Sequence, residues 1–300
     1  MPFYERANTR FVPTMARKPA NERTPLLSLV VANHNKESYI RDCLDSILGQ
    51  TYKNLEIIVS DDGSTDQSPA IIEEYEKKYP GIIKAYFTPR NRGVAHTRHE
   101  AILKAVGEYI TTLDSDDYYY DSQKLEKEME LIFQYKEQTG KDIIAFSNIV
   151  LVKGDKNLIR VWGNPGNIKE GNVLHEIITR NCMIPRDFIM KREAYFEVGG
   201  YDSRFPIYED WDLKIRLAQK YEYYYTGIHG TAYRRHGTGL SSVPVSQNIR
   251  WLKKVFKKNL DLLDKGQKKE AVQAIQNFIR DTKARYRQLL KKKLADKRVY

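Results

Sequence analysis

Between Leu26 and Asp117 the sequence alternates short apolar runs with amphipathic stretches, and this alternation limits the fold more than any other feature. Each apolar run has the length of a strand, and each amphipathic stretch repeats its apolar residues at helical spacing. Strands are predicted at residues 29–31, 55–59, 82–88 and 109–113, and helices at about 39–48, 68–78 and 94–106. Such alternation predicts a Rossmann-like, doubly wound α/β sheet whose strands run parallel.

The polar loops that follow these four strands are predicted to meet in one crevice. Residues 33–36, 61–62, 91–92 and 114–116 carry amide, acidic and basic side chains directly after the strands. The carboxyl ends of parallel strands lie at one edge of a sheet, and ligands bind there in folds of this class. We therefore expect a single polar site that combines all four loops.

The most acidic of these loops is Asp114-Ser115-Asp116-Asp117. Carboxylates at the end of a buried strand need a divalent cation, an Arg or Lys side chain, or bulk water to neutralise them. The Asp-x-Asp spacing lets Asp114 and Asp116 point to the same side of an extended segment, so that both can bind one hard cation. A solvated turn or a helix N-cap is the alternative for this short sequence taken alone.

The α/β pattern continues less regularly after residue 117. Three carboxylates, those of Glu209, Asp210 and Asp212, stand where a helix is predicted to begin. Either they are there because the helix dipole favours negative charge in the first turn, or they belong to a functional site. Helices are predicted over residues 123–139 and 170–180, strands over 143–147, over 184–191 and from 223 onwards, and an irregular segment over 154–171.

The positive charge of the chain is concentrated near its C-terminus. The whole chain has a formal net charge of +11, and residues 250–300 hold 17 Lys and Arg against 5 Asp and Glu. Two amphipathic helices are predicted there, with Gly266 as the stop of the first. Such a basic hairpin either covers the preceding domain with a solvated outer face or also binds an anionic membrane surface.

Other features exclude several classes of protein. No apolar run approaches the roughly 18 residues of a membrane span, and residues 1–24 are basic without the apolar core of a signal peptide. Cys43 and Cys182 give no disulfide framework and no metal-ligand spacing, so we expect buried, reduced thiols. We expect a cytoplasmic protein with a flexible leader over residues 1–24, one domain over 25–244 and a basic helical extension over 245–300.

Six segments, taken in order, resemble family 2 glycosyltransferases of the A-type fold. They are residues 28–35 (SLVVANHN), 46–52 (SILGQTY), 57–66 (IIVSDDGSTD), 91–93 (NRG), 113–117 (LDSDD) and 209–213 (EDWDL). The resemblance spans about residues 26–242, and its most specific parts are Gln-Thr-Tyr and Asp-Asp-Gly-Ser-Thr-Asp. It implies a catalytic domain of the A-type fold, with a mixed, doubly wound sheet, over residues 25–244.

The resemblance implies donor-binding roles for several loop residues. Asp61, the first carboxylate after the second strand, would bind the nucleotide base, since a carboxylate accepts hydrogen bonds from a ring N–H. The Asp-x-Asp element would grip the ribose and a Mn²⁺ or Mg²⁺ ion, which neutralises charge on the leaving diphosphate. Arg92 and Arg98 are candidates for the nucleotide phosphates, with an exposed basic helix face as the alternative. The implied donor-binding set is Ala32, Asn33, Asn35, Asp61, Arg92, Arg98, Asp114 and Ser115.

The resemblance also implies residues for proton transfer and metal binding. Asp210 matches the family's catalytic base, which takes the proton of an acceptor hydroxyl as its oxygen attacks the anomeric carbon with inversion, and Glu209 is the weaker alternative. His236 stands where many relatives have a histidine near the metal; an imidazole there can ligate the ion, donate to phosphate or serve structurally. The implied metal ligands are Asp114, Asp116 and His236.

The implied function is a metal-dependent, inverting glycosyltransferase of the hexosyl- or N-acetylhexosaminyl-transferase class. It would move a sugar from a UDP-sugar to a glycan or lipid-linked acceptor in cell-surface polysaccharide synthesis, at the cytoplasmic membrane face. Ala32 replaces the family's usual proline and His34 its usual aromatic residue, which leaves the base and sugar preference open. The alternative from another class is a non-catalytic nucleotide-sugar or polyanion-binding protein that acts through its basic tail. No nucleic-acid module is recognisable, so no nucleic-acid partner is expected.

Overall fold

The computed structural model describes residues 24–161, 168–182, 184–236 and 243–296, with side chains up to Gln288. The predicted leader lies outside these ranges except for Thr24. The strands are β1 (Leu27–Asn33), β2 (Leu55–Asp62), β3 (Ile83–Thr88), β4 (Tyr109–Asp114), β5 (Tyr118–Tyr119), β6 (Ile144–Lys153), β7 (Leu158–Val161), β8 (Met190–Lys191) and β9 (Tyr223–Arg235). The helices are α1 (Ile40–Leu48), α2 (Ser68–Lys78), α3 (Val94–Lys104), α4 (Lys124–Thr139), α5 (Leu174–Thr179), α6 (Arg192–Glu197), α7 (Glu209–Ala218), α8 (Val245–Asn259) and α9 (Lys265–Asp296).

The first sheet has the strand order β3-β2-β1-β4-β8. β1 to β4 pair in parallel and β8 joins β4 antiparallel, so the sheet is mixed, and the prediction of a doubly wound sheet is confirmed. The continuous apolar runs follow from burial of both faces of the sheet. α1 and α2 contribute Ile40 and Ile72 to one core cluster, and α3 contributes Ile102 to the other.

The second sheet has the strand order β5-β9-β6-β7. β9 runs parallel to β6 and antiparallel to β5. Because β5 begins directly after Asp117, its pairing of Tyr118 with Ala232 carries the end of β9 alongside the acidic loop. His236, which follows β9, therefore lies close to residues that precede it by more than a hundred positions.

Several predicted boundaries are wrong. The strand predicted over 143–147 extends to Lys153 as β6, and the segment predicted as irregular over 154–171 contains β7. The strand predicted over 184–191 is reduced to β8, because Ile189 only bridges Ala145 and the segment before it bonds to side chains instead of a neighbouring strand. The helix predicted over 170–180 begins only at Leu174, since Gly171 has a φ of 81° and pairs with Tyr223. Gly266 does not stop a helix but lies in the first turn of α9.

The chain turns between the last two helices in a short 3-10 turn at Leu260–Leu262. Asp264 then starts α9, because its carboxylate accepts a hydrogen bond from the Gln267 N–H at 2.8 Å. Both cysteines are free thiols as predicted; Cys43 is buried and Cys182 is half-buried.

α8 and the first part of α9 contribute to the core of the domain. Their buried apolar residues belong to the same cluster as Trp211 of α7 and Phe188. This packing corresponds to the covering hairpin of the two alternatives, and the domain boundary at residue 245 stays a prediction. The buried residues of this C-terminal segment are Leu252, Val255, Leu263, Ala271 and Ile275.

A buried carboxylate ties α8 to α7. The Asp212 side chain is 0% exposed, and its oxygens accept hydrogen bonds from Nζ of Lys258 and Nδ2 of Asn259, each at 2.9 Å. Arg216, on the same helix as Asp212, donates to it as well. A charge removed from water needs such partners, so the docking of α8 and the folding of α7 depend on each other.

Replacing Lys258 by methionine is expected to lower the free energy of unfolding by about 2 kcal/mol, because Asp212 loses one of its two cationic partners while it stays buried. Urea unfolding followed by circular dichroism measures this change. Lys257→Met removes the exposed neighbouring lysine and should change the same free energy by less than about 0.5 kcal/mol. Equal values for the two variants would contradict a stabilising role of the Lys258–Asp212 contact.

α9 leaves the surface of the domain beyond Thr282. Residues 283–288 are all exposed, and three of them are basic: Lys283, Arg285 and Arg287. Within the described ranges, none of the helices combines the length and the hydropathy that a membrane crossing requires.

Candidate active site

A cleft of about 830 Å³ opens at the carboxyl ends of β1, β2 and β4. All four predicted polar loops contribute to it, the first through His34 and Lys36, the second through Asp62, the third through Asn91 and the fourth through residues 114–117. The opposite wall is formed by Arg186, residues 206–210 and the end of β9. The predicted crevice is therefore present, and it joins the two sheets.

Three carboxylates converge on one side of this cleft. Oxygens of Asp114, Asp116 and Asp117 all lie within 4.8 Å of one another. They converge because the chain turns where β4 ends, with the Asp117 N–H donating to the Asp114 carbonyl at 2.9 Å. Asp114 and Asp116 are half-buried and Asp117 is buried, and all three line the cleft.

Basic side chains surround the acidic cluster. Asp114 accepts a hydrogen bond from Arg98, and its other oxygen lies 3.0 Å from Nη1 of Arg186. Arg186 also donates to Asp117 at 2.9 Å. Burial alone would raise the pKa of Asp114, but Arg186 and Arg98 hold that pKa below its ordinary value. At Asp117 burial dominates and raises the pKa well above the ordinary value.

Asp116 has two cationic or ionisable neighbours of its own. Its Oδ2 lies 3.1 Å from Nζ of Lys36 and 2.9 Å from Nε2 of His236. The His236 ring also stacks on Tyr39, with ring centres 5.1 Å apart. The structure thus brings the predicted ligands Asp116, Asp114 and His236 together, and it adds Asp117 to them.

The chemistry of this donor set fits a divalent cation. Carboxylate oxygens are the ligands that Mg²⁺ and Mn²⁺ prefer, and an imidazole nitrogen is compatible with Mn²⁺. Three carboxylates so close together also repel one another, and a bound cation lowers that repulsion. The residues that would hold the ion are Asp114, Asp116 and His236.

The residues implied in base binding form a hydrogen-bonded group at the ends of β1 and β2. Nδ2 of Asn33 donates to Asp61 at 2.7 Å, and Ser64 donates to the same carboxylate through its N–H and its hydroxyl. Asn33 and Ala32 line the cleft, whereas the buried Asp61 does not. Oδ1 of Asn33 is buried and has no hydrogen-bond partner among the described residues, so it can accept from a ligand.

Two other members of the implied donor set lie further from the cleft. Asn35 has a φ of 52°, and its side chain accepts a hydrogen bond from the Thr65 N–H at 2.8 Å, which ties the first loop to the second. Arg92 is exposed, and its backbone N–H donates to Asp62 at 2.8 Å. Ser115, in contrast, lines the cleft.

Arg98 is buried beneath the site, with 1% of its surface exposed. Its guanidinium bridges Asp114 and Glu209, the second at 2.6 Å. As placed here, Arg98 neutralises two carboxylates and does not line the cleft, so its contact with a phosphate stays a prediction. The alternative of an exposed basic helix face is wrong for this residue.

Asp210 and Glu209 start α7 but have different surroundings. Asp210 lines the cleft, its side chain is 27% exposed, and it accepts a hydrogen bond from Nζ of Lys214 at 2.9 Å. Burial opposes its ionisation, but Lys214, with Arg186 and Arg98, lowers the pKa of Asp210. Burial raises the pKa of Glu209 to about 7 despite its contact with Arg98. Of the two carboxylates that start α7, Asp210 is therefore the one that is held ionised at neutral pH.

Three basic residues of the site were given no role from the sequence. Lys214 could have been found, because it stands four positions after Asp210 and helical spacing places the two on one face. Lys36 lies in a loop that was expected to reach the crevice. Arg186 gives no local signal, since it lies in a segment that the pattern predicts as a strand.

Replacing Lys214 by methionine is expected to move the acid limb of the pH profile of kcat/KM to higher pH by about one unit. The reason is that Asp210 loses the cation that lowers its pKa, while burial still raises that pKa. Lys220→Met, which removes an exposed lysine just beyond α7, should leave the profile unchanged. An unchanged acid limb in Lys214→Met would show that Asp210 does not limit activity at low pH.

Comparisons with known proteins agree with this geometry. The family model described as Glycosyl transferase family 2 matches residues 28–195. A Haemophilus influenzae protein named as an uncharacterized glycosyltransferase is 43% identical over 110 residues, which are 37% of this chain and 43% of that protein. A relative from Mycobacterium tuberculosis is 28% identical over 216 residues, 71% of this chain and 60% of its own length. The chain thus spans about half the length of the curated relatives that it matches.

Solved structures resemble the chain in fold. S. aureus TarS 1-349 in complex with UDP-GlcNAc superimposes with a TM-score of 0.62 at 18% identity, covering 82% of this chain and 70% of the TarS 1-349 chain. A mannosyltransferase from Pyrobaculum calidifontis in complex with GDP-Man and Mn²⁺ gives 0.60 at 18% identity, covering 84% and 69%. At these identities the likeness shows the fold alone.

Proposed function

The chain belongs to glycosyl transferase family 2, and we propose that it is a metal-dependent, inverting enzyme of that family. Its donor is a UDP-sugar of the hexose or N-acetylhexosamine class, and its acceptor is a hydroxyl of a glycan or lipid-linked precursor in cell-surface polysaccharide synthesis. One observation carries the proposal: the acidic cluster and Asp210 line the same cleft. The relatives of similar fold whose structures hold UDP-GlcNAc, or GDP-Man with Mn²⁺, support a nucleotide-sugar donor and a divalent ion.

The donor side of the cleft suits a nucleoside diphosphate. The free Oδ1 of Asn33 accepts a hydrogen bond from the base or the ribose, and Asp61 keeps the Asn33 amide in place. A Mn²⁺ or Mg²⁺ ion held by Asp114, Asp116 and His236 would supply positive charge to the leaving diphosphate. Lys36 and Arg186 line the same cleft and add positive charge from the protein itself.

Asp210 performs the proton transfer in this proposal. The acceptor oxygen forms its bond to the anomeric carbon while the bond from that carbon to the diphosphate breaks, and the hydroxyl proton passes to the Asp210 carboxylate. A single displacement of this kind inverts the anomeric configuration. Lys214 keeps Asp210 ionised before the reaction.

Arg98 is proposed to fix the distance between the donor-binding side of the cleft, at Asp114, and the proton-transfer side, at the start of α7. It contacts Asp114 at the end of β4 and Glu209 at the start of α7, and these two carboxylates come from distant parts of the chain. Glu209 is thereby occupied, which favours Asp210 over Glu209 as the base. The rigid link matters because misplacement of reacting groups by about 1 Å can cost a hundredfold in rate.

A thermal-shift screen tests the donor proposal. UDP-sugars with Mn²⁺ are expected to raise Tm by several degrees, because a ligand that binds only the folded state stabilises it. UDP-sugars with EDTA should raise Tm much less, and product analysis by NMR then gives the anomeric configuration. Stabilisation by no nucleotide sugar, together with salt-sensitive binding to a polyanion, would favour the non-catalytic alternative.

We further propose that the enzyme works at the cytoplasmic face of a membrane, as a peripheral protein. The exposed basic end of α9 supports this, since each Lys or Arg near an anionic surface contributes about 1 kcal/mol. Sedimentation with phosphatidylglycerol vesicles at low salt should carry the protein down, and charge reversal of Lys283, Arg285 and Arg287 should leave it in solution. Truncation at Pro244 is unsuitable for this purpose, because it removes part of the core.

A further inference from the structure

Arg180 lies in an aromatic cage outside the cleft. It follows α5 directly, and its guanidinium carbon lies 5.3 Å from the ring centre of Tyr208, 5.0 Å from that of Trp211 and 4.8 Å from that of Phe278. Aromatic contacts of this kind use the faces of the guanidinium and leave its N–H edge for hydrogen bonds.

The N–H edge of Arg180 has no acceptor in the part of the chain that the structure describes. Its Nε is buried without a partner, but the Nε atoms of Arg98, Arg186 and Arg234 in the active site share that feature. Arg180 differs from these three in its Nη groups, since each of the three has a carboxylate partner there and Arg180 has none among the described residues. Its Nη groups are therefore available to donate hydrogen bonds to a ligand in the groove.

Backbone strain points to the same place. Arg180 has a φ of 59° and Tyr208 a φ of 67°, and the two side chains contact each other. Left-handed backbone costs a residue other than glycine roughly 1–2 kcal/mol, and glycine is the common choice after a helix. Two strained residues in contact indicate a functional constraint on their side chains.

Arg180 lines a groove of about 890 Å³ between α5 and α9. Asn181, Lys269 and Asn277 add hydrogen-bond donors to its walls. Two carboxylates line it as well: Glu270 lies 3.5 Å from Nε2 of His175, and Asp281 lies 3.5 Å from Nε of Arg280. These carboxylates disfavour a doubly charged anion and leave room for a singly charged one.

We propose that this groove binds a phosphate diester, with the N–H edge of Arg180 as its anchor. A diester carries one negative charge, and its two free oxygens match the paired N–H groups of a guanidinium. The groove is walled by α9, whose exposed end carries Lys283, Arg285 and Arg287, so the expected source is the headgroup of an acidic phospholipid. Only this choice of source rests on the proposed membrane location; the anion site itself does not.

A diester bound at Arg180 also acts on the catalytic helix. Tyr208 and Trp211 flank Asp210 in sequence, and Tyr208 lines the active-site cleft. A diester that fixes the guanidinium between their rings would restrict the positions that Tyr208 and Trp211 can adopt. The site would therefore couple contact with a lipid surface to the position of the catalytic base.

The test uses the emission of Trp211 in the full-length protein. The chain has 3 tryptophans, so Trp162→Phe and Trp251→Phe leave Trp211 as the reporter beside Arg180. Dimethyl phosphate, titrated against sodium chloride at equal ionic strength, is expected to change this emission saturably. Arg180→Met keeps the stacked chain but removes the N–H groups, and should weaken binding at least about tenfold. Arg180→Lys keeps the charge without the paired donors, and should give an intermediate affinity.

Arg186→Met is the matched control, because it removes an arginine of the cleft and should leave the titration within about twofold. If phosphatidylglycerol vesicles reproduce the emission change at a lower phosphate concentration than dimethyl phosphate, the ligand is a lipid headgroup. If only dimethyl phosphate produces the change, the ligand is a free diester. No saturable change, equal affinity in Arg180→Met, or loss in Arg186→Met instead overturns the site. UDP binding with Mn²⁺, measured on the same variants, reports separately on the proposed function.

Discussion

Replacing Asp210 by asparagine is expected to lower kcat about a thousandfold and to leave the affinity for UDP in the presence of Mn²⁺ within about twofold. The substitution keeps the size of the side chain and its place at the start of α7 but removes the oxygen charge that accepts the acceptor proton. Single-turnover kinetics with a nucleotide sugar measure the chemical step, and isothermal titration with UDP measures binding. A large loss in kcat with unchanged UDP affinity is expected for a catalytic base, because a residue that only shaped the cleft would change both quantities.

Glu209→Gln is the matched control for Asp210→Asn. Glu209 is buried against Arg98, and its pKa of about 7 means that it carries a charge only part of the time near neutrality. The amide can still accept from Arg98, so we expect a loss of about tenfold or less in kcat. A larger loss for Glu209→Gln than for Asp210→Asn would move the role of base to Glu209.

Replacing Asp116 by alanine is expected to weaken Mn²⁺ binding in the presence of UDP at least about a hundredfold and to abolish transfer at ordinary metal concentrations. Asp116 is half-buried, lines the cleft, and lies next to both Asp114 and His236. Electron paramagnetic resonance of free Mn²⁺ measures the binding without reference to activity.

Asp155→Ala is the control for the metal experiment, because Asp155 is an exposed carboxylate on the turn between β6 and β7. Its loss should leave the Mn²⁺ affinity unchanged. If Asp116→Ala bound Mn²⁺ as tightly as the parent, Lys36 and His236 would be the permanent partners of Asp116, and the metal part of the proposed function would fall.

The first sheet and its helices could be predicted because short stretches of sequence carry the pattern of each strand and helix. β1, β2 and β4 are buried on both faces and appear as nearly continuous apolar runs, whereas the edge strand β3 is partly exposed. α2 was predicted at its observed bounds. The second sheet could not be predicted in the same way. β9 spans residues 223–235, but its apolar pattern is interrupted by Gly227 and Gly230, and its last three residues, Tyr233, Arg234 and Arg235, line the cleft.

The residues of the candidate site also fall into those that could be predicted from local sequence and those that could not. Its carboxylates could be predicted because they follow strands whose ends must share an edge of the sheet. Which cation contacts which carboxylate could not be predicted, since Arg98 reaches Glu209 across 111 positions and Lys36 reaches Asp116 across 80. Such pairs depend on how two sheets pack, and no short stretch of sequence records that packing. Arg180 is another example, because it follows α5 while its aromatic cage comes from the start of α7 and from α9.

The contact between Asp212 and α8 has a consequence for the synthesis of the protein. Asp210 and Asp212 stand two positions apart on α7, and they point to the cleft and to Lys258 of α8 respectively. A ribosome exposes α7 before α8, so a nascent chain that already contains every proposed catalytic residue still lacks the Lys258 and Asn259 partners of Asp212 and keeps only Arg216. We expect the growing chain to acquire activity only when residues 245–263 have left the exit tunnel. On the proposed function, a chain that ends before α8 would therefore not use a nucleotide sugar.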